Sequence, residues 1–262
     1  MKIFGRGIFG SRTTLTITPT KESGIFWKPK NAEPILLCDA RLSANPLHYL
    51  TLRCHDWVLR MPEHLLGCLG ALGVDGIVFS PENSSLPYGR GAQLFYEALL
   101  PHLEARGTFP HYTPKERIFV EAGPGRFIRF MPSDSPELHY CVQVNYPDVG
   151  YTTLEGTLER ADLRALCCAR PYGRNKFYKL LSKILVHHKT ALWFEENDSD
   201  EKQQEKLNEI AWHRLLDLLG ALLWVTPPGA ALSGRIVTRL VGHAADMELA
   251  KELTRVGLRQ IA

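Results

Sequence analysis

An adjacent glutamate and histidine, Glu63 and His64, begin an otherwise apolar run of leucine, glycine and alanine at residues 61–76. A carboxylate beside an imidazole can supply a general base next to a metal ligand. The pair also fits a structural role, in which a first-turn glutamate interacts with the helix dipole and the histidine packs beside it. Gly67 and Gly70 follow on the side of Glu63, and each costs about 1 kcal/mol relative to alanine inside a helix. The glycines therefore predict that another element packs closely against this side.

A second pair lies in the apolar segment at residues 209–225. His213 and Asp217 are four residues apart, so they share one face of a helix. An imidazole nitrogen and a carboxylate oxygen at this spacing can bind one metal ion. Gly220 lies about one turn from both and removes side-chain bulk beside them. For this segment alone, the alternative is a solvated histidine–aspartate pair on an exposed helix face.

A further histidine, His243, follows a glycine where a predicted strand meets a predicted helix. Histidine is the usual general acid or base near neutral pH. A Gly-His dipeptide alone is weak evidence, but the three segments together supply every group needed for metal-assisted hydrolysis of an amide. Two histidines and an aspartate can hold zinc with one open position, a glutamate can take a proton from water, and the further histidine can protonate the leaving amine.

The composition of the whole chain is that of a folded globular protein. Of 262 residues, 45% are hydrophobic and 23% are charged, and the formal net charge of +3 is too small to indicate a nucleic-acid or membrane partner. The six cysteines form no C-x-x-C pair, which favours reduced thiols over disulfides or a thiolate zinc site. No apolar run approaches the roughly 18 residues of a membrane span, and the first residues lack a signal-like apolar stretch. We therefore expect a cytoplasmic protein without a membrane span.

The order of predicted elements indicates two domains. Residues 107–116 contain two prolines and a glycine without periodicity, which is typical of a linker. Strands and helices are predicted on both sides of it, so we expect an α+β fold of two similar domains, each a sheet with helices. The predicted domains are residues 1–108, which carry Glu63 and His64, and residues 109–262, which carry His213, Asp217 and His243.

The individual elements follow from hydrophobic periodicity and from glycine and proline positions. Before the linker, strands are predicted at 14–18, 25–27, 34–38 and 76–80, and helices at 61–73 and 92–106. After the linker, strands are predicted near 117–121, 126–131, 138–145, 190–194 and 231–240. Helices are predicted there near 160–168 and 175–185, over 209–225, and at 244–256.

Four segments resemble, in the same order, the motifs of the zinc-dependent UDP-3-O-acyl-N-acetylglucosamine deacetylases of lipid A biosynthesis. GRGIFGS (5–11) resembles G-x-G-L-H-S/T-G, and PEHLLGCLGALGVDGIVF (62–79) resembles V-E-H-L-x-A-A-L-x-G-L-G-I-D-N. EIAWHRLLDLLG (209–220) resembles E-F-x-R-H-K-x-L-D-x-I-G, and GHA (242–244) resembles G-H-A-L-N. The resemblance covers nearly the whole chain, and it implies a fold in which helices are sandwiched between the two sheets.

The resemblance also implies a role for each matched residue. It implies Zn²⁺ held by His64, His213 and Asp217. It implies Glu63 as the general base that takes a proton from water, and His243 as the group that stabilises the oxyanion and protonates the leaving nitrogen. Beside these matched positions, we predict that the substrate is bound by Arg214, Tyr172 and Arg239.

The chain departs from the family pattern at several of these positions. The family's A-R-T-F-G-F is ARPYGR at 169–174, so Pro171 replaces a threonine whose hydroxyl stabilises the oxyanion, a donor worth about 3 kcal/mol. Ala221 replaces the acidic residue that charges the catalytic histidine, which weakens His243 as an acid unless another carboxylate substitutes. The segment at 175–198 is shorter and more basic than the family's acyl-chain passage, and Phe9 replaces an early histidine.

We therefore predict a zinc-dependent amide hydrolase that removes an N-acetyl or other N-acyl group from a small substrate, such as a nucleotide sugar or another phosphate-bearing molecule. The departures favour a substrate altered from that of the family. Two alternatives are the lipid A deacetylase itself and a catalytically silent family member that acts as a binding protein. No obligate protein partner is inferred.

A third class of function, nucleic-acid binding, is suggested by basic and aromatic side chains that alternate over residues 170–183. Such a pattern can track phosphates and stack bases. The residues are Arg170, Tyr172, Arg174, Lys176, Phe177, Tyr178, Lys179 and Lys183. The small net charge favours instead a solvated helix face near an anionic substrate group, so no nucleic-acid partner is expected.

Overall fold

The structure is a computed structural model, and it describes residues 1–7, 10–45, 49–103, 110–146, 149–172, 191–195 and 198–261. These residues form an α+β fold with two five-stranded sheets, two smaller sheets and five α-helices. The predicted fold class is confirmed. The boundary between residues 108 and 109 stays a prediction, because residues 104–109 lie outside the described residues.

The first five-stranded sheet is built entirely from residues before position 82. Its strands are β1 (Lys2–Arg6), β2 (Arg12–Pro19), β3 (Ile25–Trp27), β4 (Ile35–Leu36) and β8 (Ile77–Pro81). The spatial order is β1-β2-β8-β3-β4, and every pairing is antiparallel except the parallel pair β3–β8. In β2, Thr13, Leu15 and Ile17 alternate with more exposed residues, which places one face of the sheet on the core.

The second five-stranded sheet repeats this topology. Its strands are β10 (Ile118–Gly123), β11 (Arg126–Met131), β12 (Leu138–Tyr146), β13 (Gly150–Thr157) and β15 (Gly234–Arg239). The order is β10-β11-β15-β12-β13, and only β12–β15 is parallel. In both sheets, the first two strands form a hairpin, and the second of them pairs with the strand of that sheet that comes last in the chain. That last strand pairs in turn, in parallel, with the third strand of the sheet. This repeat confirms the expectation of two similar units.

Two three-stranded sheets complete the described strands. One is the meander β5 (Arg41–Asn45), β6 (Tyr49–Cys54) and β7 (Trp57–Arg60). The other has the order β14-β9-β16 and contains β9 (His111–Pro114), β14 (Ala231–Leu232) and β16 (Leu258–Gln260). Strand β9 therefore occupies part of the segment that was predicted to be a linker.

The helices are α1 (Glu63–Ala71), α2 (Gln93–Leu103), α3 (Leu163–Cys168), α4 (Asp200–Leu223) and α5 (His243–Val256). Helix α1 follows Pro62 and ends before Gly73, which has a positive φ of 59°. Helix α4 is capped by Ser199, whose side chain accepts a hydrogen bond from the Lys202 backbone N–H. Helix α5 ends at Gly257, which also has a positive φ.

Helices α1 and α4 cross in direct backbone contact at the centre of the molecule. A Cβ atom at Gly67 would overlap the carbonyl oxygen of Leu216, and one at Gly220 would lie 2.5 Å from the carbonyl oxygen of Glu63. Both helices are buried on all sides over this contact, and one hydrophobic cluster joins them to residues of both large sheets. The close packing predicted from the glycines of α1 is confirmed.

Several elements differ from the sequence prediction. Strand β13 and the meander β5–β7 were not predicted, because TTLEGT and RLSAN look polar when their buried face is unknown. At 191–195 there is only an isolated bridge between Leu192 and Tyr172 instead of a strand. The helix predicted at 175–185 lies outside the described residues. All six cysteines are free thiols, and three of them, Cys68, Cys141 and Cys167, are buried.

Among the described residues, no helix combines the length and the apolar character that a membrane crossing requires.

The glycine contact predicts an asymmetric effect of two alanine substitutions in one helix. Gly67→Ala should lower the free energy of unfolding by roughly 1–3 kcal/mol, because overpacking against Leu216 exceeds the gain in helix propensity. Gly70→Ala is the matched control, since its Cβ would lie 3.4 Å from the nearest atom, the carbonyl oxygen of Leu219. Urea unfolding measures both, and a Gly67→Ala protein as stable as wild type would contradict the described contact.

Candidate active site

Three side chains from two helices meet above the glycine contact. His64 from the first turn of α1 and His213 and Asp217 from the middle of α4 offer ligand atoms that all lie within 4.8 Å of one another. Asp217 Oδ1 lies 3.8 Å from His64 Nε2, and Asp217 Oδ2 lies 3.5 Å from His213 Nε2. His213 and Asp217 are only 8% and 7% exposed, which excludes the alternative of a solvated pair.

The cluster fits a zinc ion by geometry and by its polar contacts. Nitrogen and oxygen ligands about 2.0–2.1 Å from a tetrahedral zinc are separated by roughly 3.4 Å, close to the 3.8 and 3.5 Å between the Asp217 oxygens and the two imidazoles. His213 Nδ1 donates to the Ala169 carbonyl oxygen at 2.9 Å, so Nε2 is the nitrogen that faces the cluster. Asp217 Oδ1 is buried without a hydrogen-bond partner among the described residues, as expected of a ligand atom.

Glu63 lies beside this cluster and is held by the backbone of β6. Its side chain is buried, with 2% of its surface exposed, and Oε2 accepts a hydrogen bond from the Leu50 N–H at 3.1 Å. Burial is the largest effect on the pKa of Glu63 and raises it, His243 lowers it and Asp217 raises it, so that the resulting pKa is about 7. A carboxylate with this pKa can both accept and release a proton near neutral pH.

His243 begins α5 and approaches the cluster from the other side. Its Nε2 lies 3.7 Å from Asp217 Oδ2. Burial lowers the pKa of His243, but the neighbouring carboxylates, led by Asp217, outweigh this and raise it to about 9. His243 is therefore cationic at neutral pH in this structure, the state from which an imidazole donates a proton.

The family model described as LpxC, UDP-3-O-acyl N-acetylglycosamine deacetylase, matches residues 1–255. This chain belongs to the LpxC family. The resemblance inferred from the four motifs is thereby confirmed.

Several LpxC relatives carry the name UDP-3-O-acyl-N-acetylglucosamine deacetylase. The one from Leptospira biflexa is 26% identical over 201 matched positions, with 72% of this chain and 64% of the relative covered. The one from Campylobacter hominis is 22% identical over 259 residues, 94% of this chain and 84% of the relative. The one from Aquifex aeolicus is 25% identical over 214 residues, 75% of this chain and 70% of the relative. The match to Leptospira biflexa thus spans 64% of the length of that protein.

The three predicted substrate contacts of this LpxC family member lie in different surroundings. Tyr172 is partly buried, and its ring packs against Tyr146 and Phe194 at centroid distances of 4.9 and 5.4 Å. Arg239 is exposed at the end of β15, where strand alternation turns it away from the core. Arg214 is buried and donates through Nε to the Val241 carbonyl oxygen and through NH2 to a carboxylate. The predicted contact of Arg214 with a substrate phosphate stays a prediction.

Two residues near the cluster were missed by the sequence analysis. Tyr88 lies against His64 with ring centroids 5.7 Å apart, and burial, with smaller contributions from Glu63 and Asp217, raises the pKa of its phenol. Asp246 is fully buried and lies 3.5 Å from His243 Nδ1. The spacing of three residues between His243 and Asp246 was the available signal, because it places both on one side of a helical turn.

Each of the two segments that lead into α1 and α5 contains a non-glycine residue with a left-handed backbone conformation. Met61 has φ 56° and precedes Glu63, and Leu240 has φ 53° and precedes His243. Such residues are energetically unfavourable and persist where surrounding structure fixes them. The Met61 N–H donates to the Leu50 carbonyl oxygen, and the Leu50 N–H donates to the Glu63 side chain. Leu50 therefore fixes the turn into α1 on both sides.

The ligand geometry predicts which histidines determine metal binding. His64→Ala and His213→Ala should each weaken zinc binding by more than about 100-fold, whereas His243→Ala should retain one zinc per chain. Competition titration with a chromogenic chelator measures the affinities, and elemental analysis measures the stoichiometry. Loss of zinc from His243→Ala to the same extent as from His64→Ala would contradict the assignment.

The raised pKa of Glu63 predicts a pH-dependent stability of the metal-free protein. Between pH 4.5, the ordinary pKa, and about 7, the folded chain keeps a proton that the unfolded chain has released. Stability therefore falls as the pH rises through this window, by roughly 3 kcal/mol for this group. The pH dependence of the free energy of unfolding should be shallower for Glu63→Gln, and unchanged for the exposed control Glu121→Gln.

Equal slopes for wild type and Glu63→Gln, measured by urea unfolding at several pH values with a chelator present, would show that Glu63 is not buried as described.

Proposed function

We propose that this chain is a zinc-dependent deacetylase that hydrolyses the N-acetyl amide of a small, phosphate-bearing substrate. The observation that carries the proposal is the buried triad of His64, His213 and Asp217, with ligand atoms within 4.8 Å. Glu63 on one side and His243 on the other side complete the set of groups for amide hydrolysis. Membership of the LpxC family and the shared name of the relatives agree with this chemistry.

The metal would be held by His64 Nε2, His213 Nε2 and one oxygen of Asp217. When bound, zinc supplies Lewis acidity, which makes water more acidic and polarises a carbonyl group. The protein contributes the fixed orientation of each ligand. The Ala169 carbonyl oxygen selects the His213 tautomer, and the α1–α4 contact sets the separation of the two histidines.

Glu63 and His243 have opposite proton-transfer roles in this proposal. Glu63 takes a proton from a water molecule, whose oxygen then attacks the carbonyl carbon of the amide. As the carbon–nitrogen bond breaks, His243 Nε2 gives its proton to the departing nitrogen, and the products are a carboxylic acid and an amine. The pKa of about 7 for Glu63 and of about 9 for His243 support this division into base and acid.

We further propose that the substrate contacts differ from those of the relatives. Pro171 offers neither a hydroxyl nor a backbone N–H to a developing oxyanion, and its carbonyl oxygen is used by the Leu192 N–H. The phenol of Tyr88 is a protonated group beside His64, and it can take the place of the missing threonine hydroxyl. Arg214 is engaged inside the protein, which leaves the exposed Arg239 as the more accessible predicted cation.

The proposal predicts zinc-dependent release of acetate by the purified protein. UDP-3-O-acyl-N-acetylglucosamine and UDP-N-acetylglucosamine are compared as substrates, with amine formation as the measurement. Glu63→Gln should keep one zinc per chain and lower kcat by about 100-fold or more, because the general base is lost. Glu121→Gln, an exposed acid far from the triad in sequence, is the control and should behave as wild type.

The outcomes separate the proposed function from its alternatives. Preference for UDP-N-acetylglucosamine supports an altered substrate, whereas strong preference for the acylated compound assigns the same reaction as the relatives. A protein that binds one zinc but hydrolyses neither compound would be a silent binding protein toward them. A protein without zinc, or with a rate unaffected by Glu63→Gln, would overturn the enzymatic proposal.

A further inference from the structure

Asp246 is a buried carboxylate that the proposed hydrolysis does not use. It lies in the first turn of α5, and its exposed fraction is 0%. Oδ1 accepts a charge-assisted hydrogen bond from Arg214 NH2. Oδ2 makes no hydrogen bond of ideal geometry among the described residues, and it lies 3.5 Å from His243 Nδ1. The carboxylate therefore faces one cation with each oxygen.

Arg214 connects the metal-ligand helix to the start of α5. It is the neighbour of His213 on α4, and its guanidinium reaches the Val241 carbonyl oxygen through Nε at 3.0 Å and Asp246 through NH2. Val241 and Asp246 flank His243 on its two sides in the chain. Burial lowers the pKa of Arg214, but Asp246 outweighs this and raises it, so the guanidinium stays charged. The arginine thus fixes the backbone and the carboxylate on either side of His243.

The two ring nitrogens of His243 face different carboxylates. Nδ1 faces Asp246 at 3.5 Å, and Nε2 faces Asp217 at 3.7 Å and the metal cluster. A carboxylate can only accept a hydrogen bond, so Asp246 keeps a proton on Nδ1 and favours the ring orientation with Nε2 toward the substrate. A ring turned by 180° about its Cβ–Cγ bond would point Nδ1 away from Asp246 and lose this interaction.

A purely local role for Asp246 does not explain its burial. A first-turn acid stabilises a helix through the dipole while it stays exposed to water. Full burial of a carboxylate costs several kcal/mol and is found where a partner charge compensates it. Here the compensating Arg214 comes from a different helix, and the remaining oxygen is directed at a histidine of the candidate active site.

We propose that Asp246 is the positioning residue for His243, and that Arg214 holds Asp246 in place instead of binding a substrate phosphate. The series of contacts Arg214–Asp246–His243 then connects helix α4, which carries two of the metal ligands, to the proton donor. The catalytic part of this inference rests on the proposed amide hydrolysis. The orientation of the His243 ring does not, and it can be measured without any substrate.

Two measurements on Asp246→Asn test the proposal. In proton NMR of the zinc-loaded protein, the His243 Nδ1–H resonance is assigned by its loss in His243→Ala. This resonance should be downfield and protected from exchange in wild type, and shifted upfield or lost in Asp246→Asn. In the deacetylase assay, kcat should fall by about 10- to 100-fold with little change in KM, because substrate binding does not involve Asp246.

Two further variants keep the test decisive. Glu248→Gln lies on the same helix in an exposed pair with Lys251 and should change neither the resonance nor kcat. If Asp246→Asn leaves Arg214 uncompensated and fails to fold, the double variant Asp246→Asn with Arg214→Gln removes both buried charges and should restore folding without restoring the resonance.

The outcomes distinguish this proposal from the proposed function. An unchanged Nδ1–H resonance and kcat in folded Asp246→Asn would overturn the positioning role. A higher KM in Arg214→Gln, with kcat and the resonance unchanged, would return Arg214 to substrate binding and also overturn it. A wild-type protein that shows the protected resonance but no hydrolysis would support the positioning of His243 and reject the deacetylase.

Discussion

The backbone contact between α1 and α4 is the constraint on which the candidate site depends. Gly220 allows the carbonyl oxygen of Glu63 to lie where a side chain would otherwise be, and Gly67 does the same for Leu216. Any bulkier residue at either position would separate the helices by the thickness of a methyl group. His64 would then move away from His213 and Asp217, and three ligand atoms would no longer fit around one ion. The cost of two glycines inside helices is offset by this proximity.

The second constraint is the balance of buried charge. Asp217 faces three imidazoles, and although burial raises its pKa, the histidines, with His213 first, outweigh this and hold it below its ordinary value. Asp246 is compensated by Arg214, while among the described residues Glu63 accepts hydrogen bonds from backbone N–H groups and makes no ion pair with an arginine or lysine. The carboxylate with the weakest compensation is therefore the one whose pKa rises toward neutrality. In the proposed function, the environment alone would separate three similar side chains into a ligand, a positioning residue and a base.

Sequence patterns predicted the parts of this site that depend on local spacing. The four-residue separation of His213 and Asp217 predicted a shared helix face, and the glycines of α1 predicted a close neighbour. The partner of His243 was not predicted, although the absence of an acidic residue at Ala221 left a place for one. The position of Asp246 beside His243 and the inward orientation of the Arg214 side chain depend on how α4 and α5 pack against each other. No single segment of sequence determines this packing. A long basic side chain looks solvent-exposed in sequence until its acceptors are known.

The repeated topology of the two large sheets has a consequence for how such a catalyst can arise. In the proposed function, the first unit would contribute the proton acceptor and one imidazole ligand, and the second would contribute the remaining ligands and the proton donor. The two units share one topology, but neither of them alone contains all the groups of the candidate site. The candidate site therefore lies at the contact between the two units. A substitution on the outer surface of either unit would leave this contact intact, whereas added bulk at Gly67 or Gly220 would not.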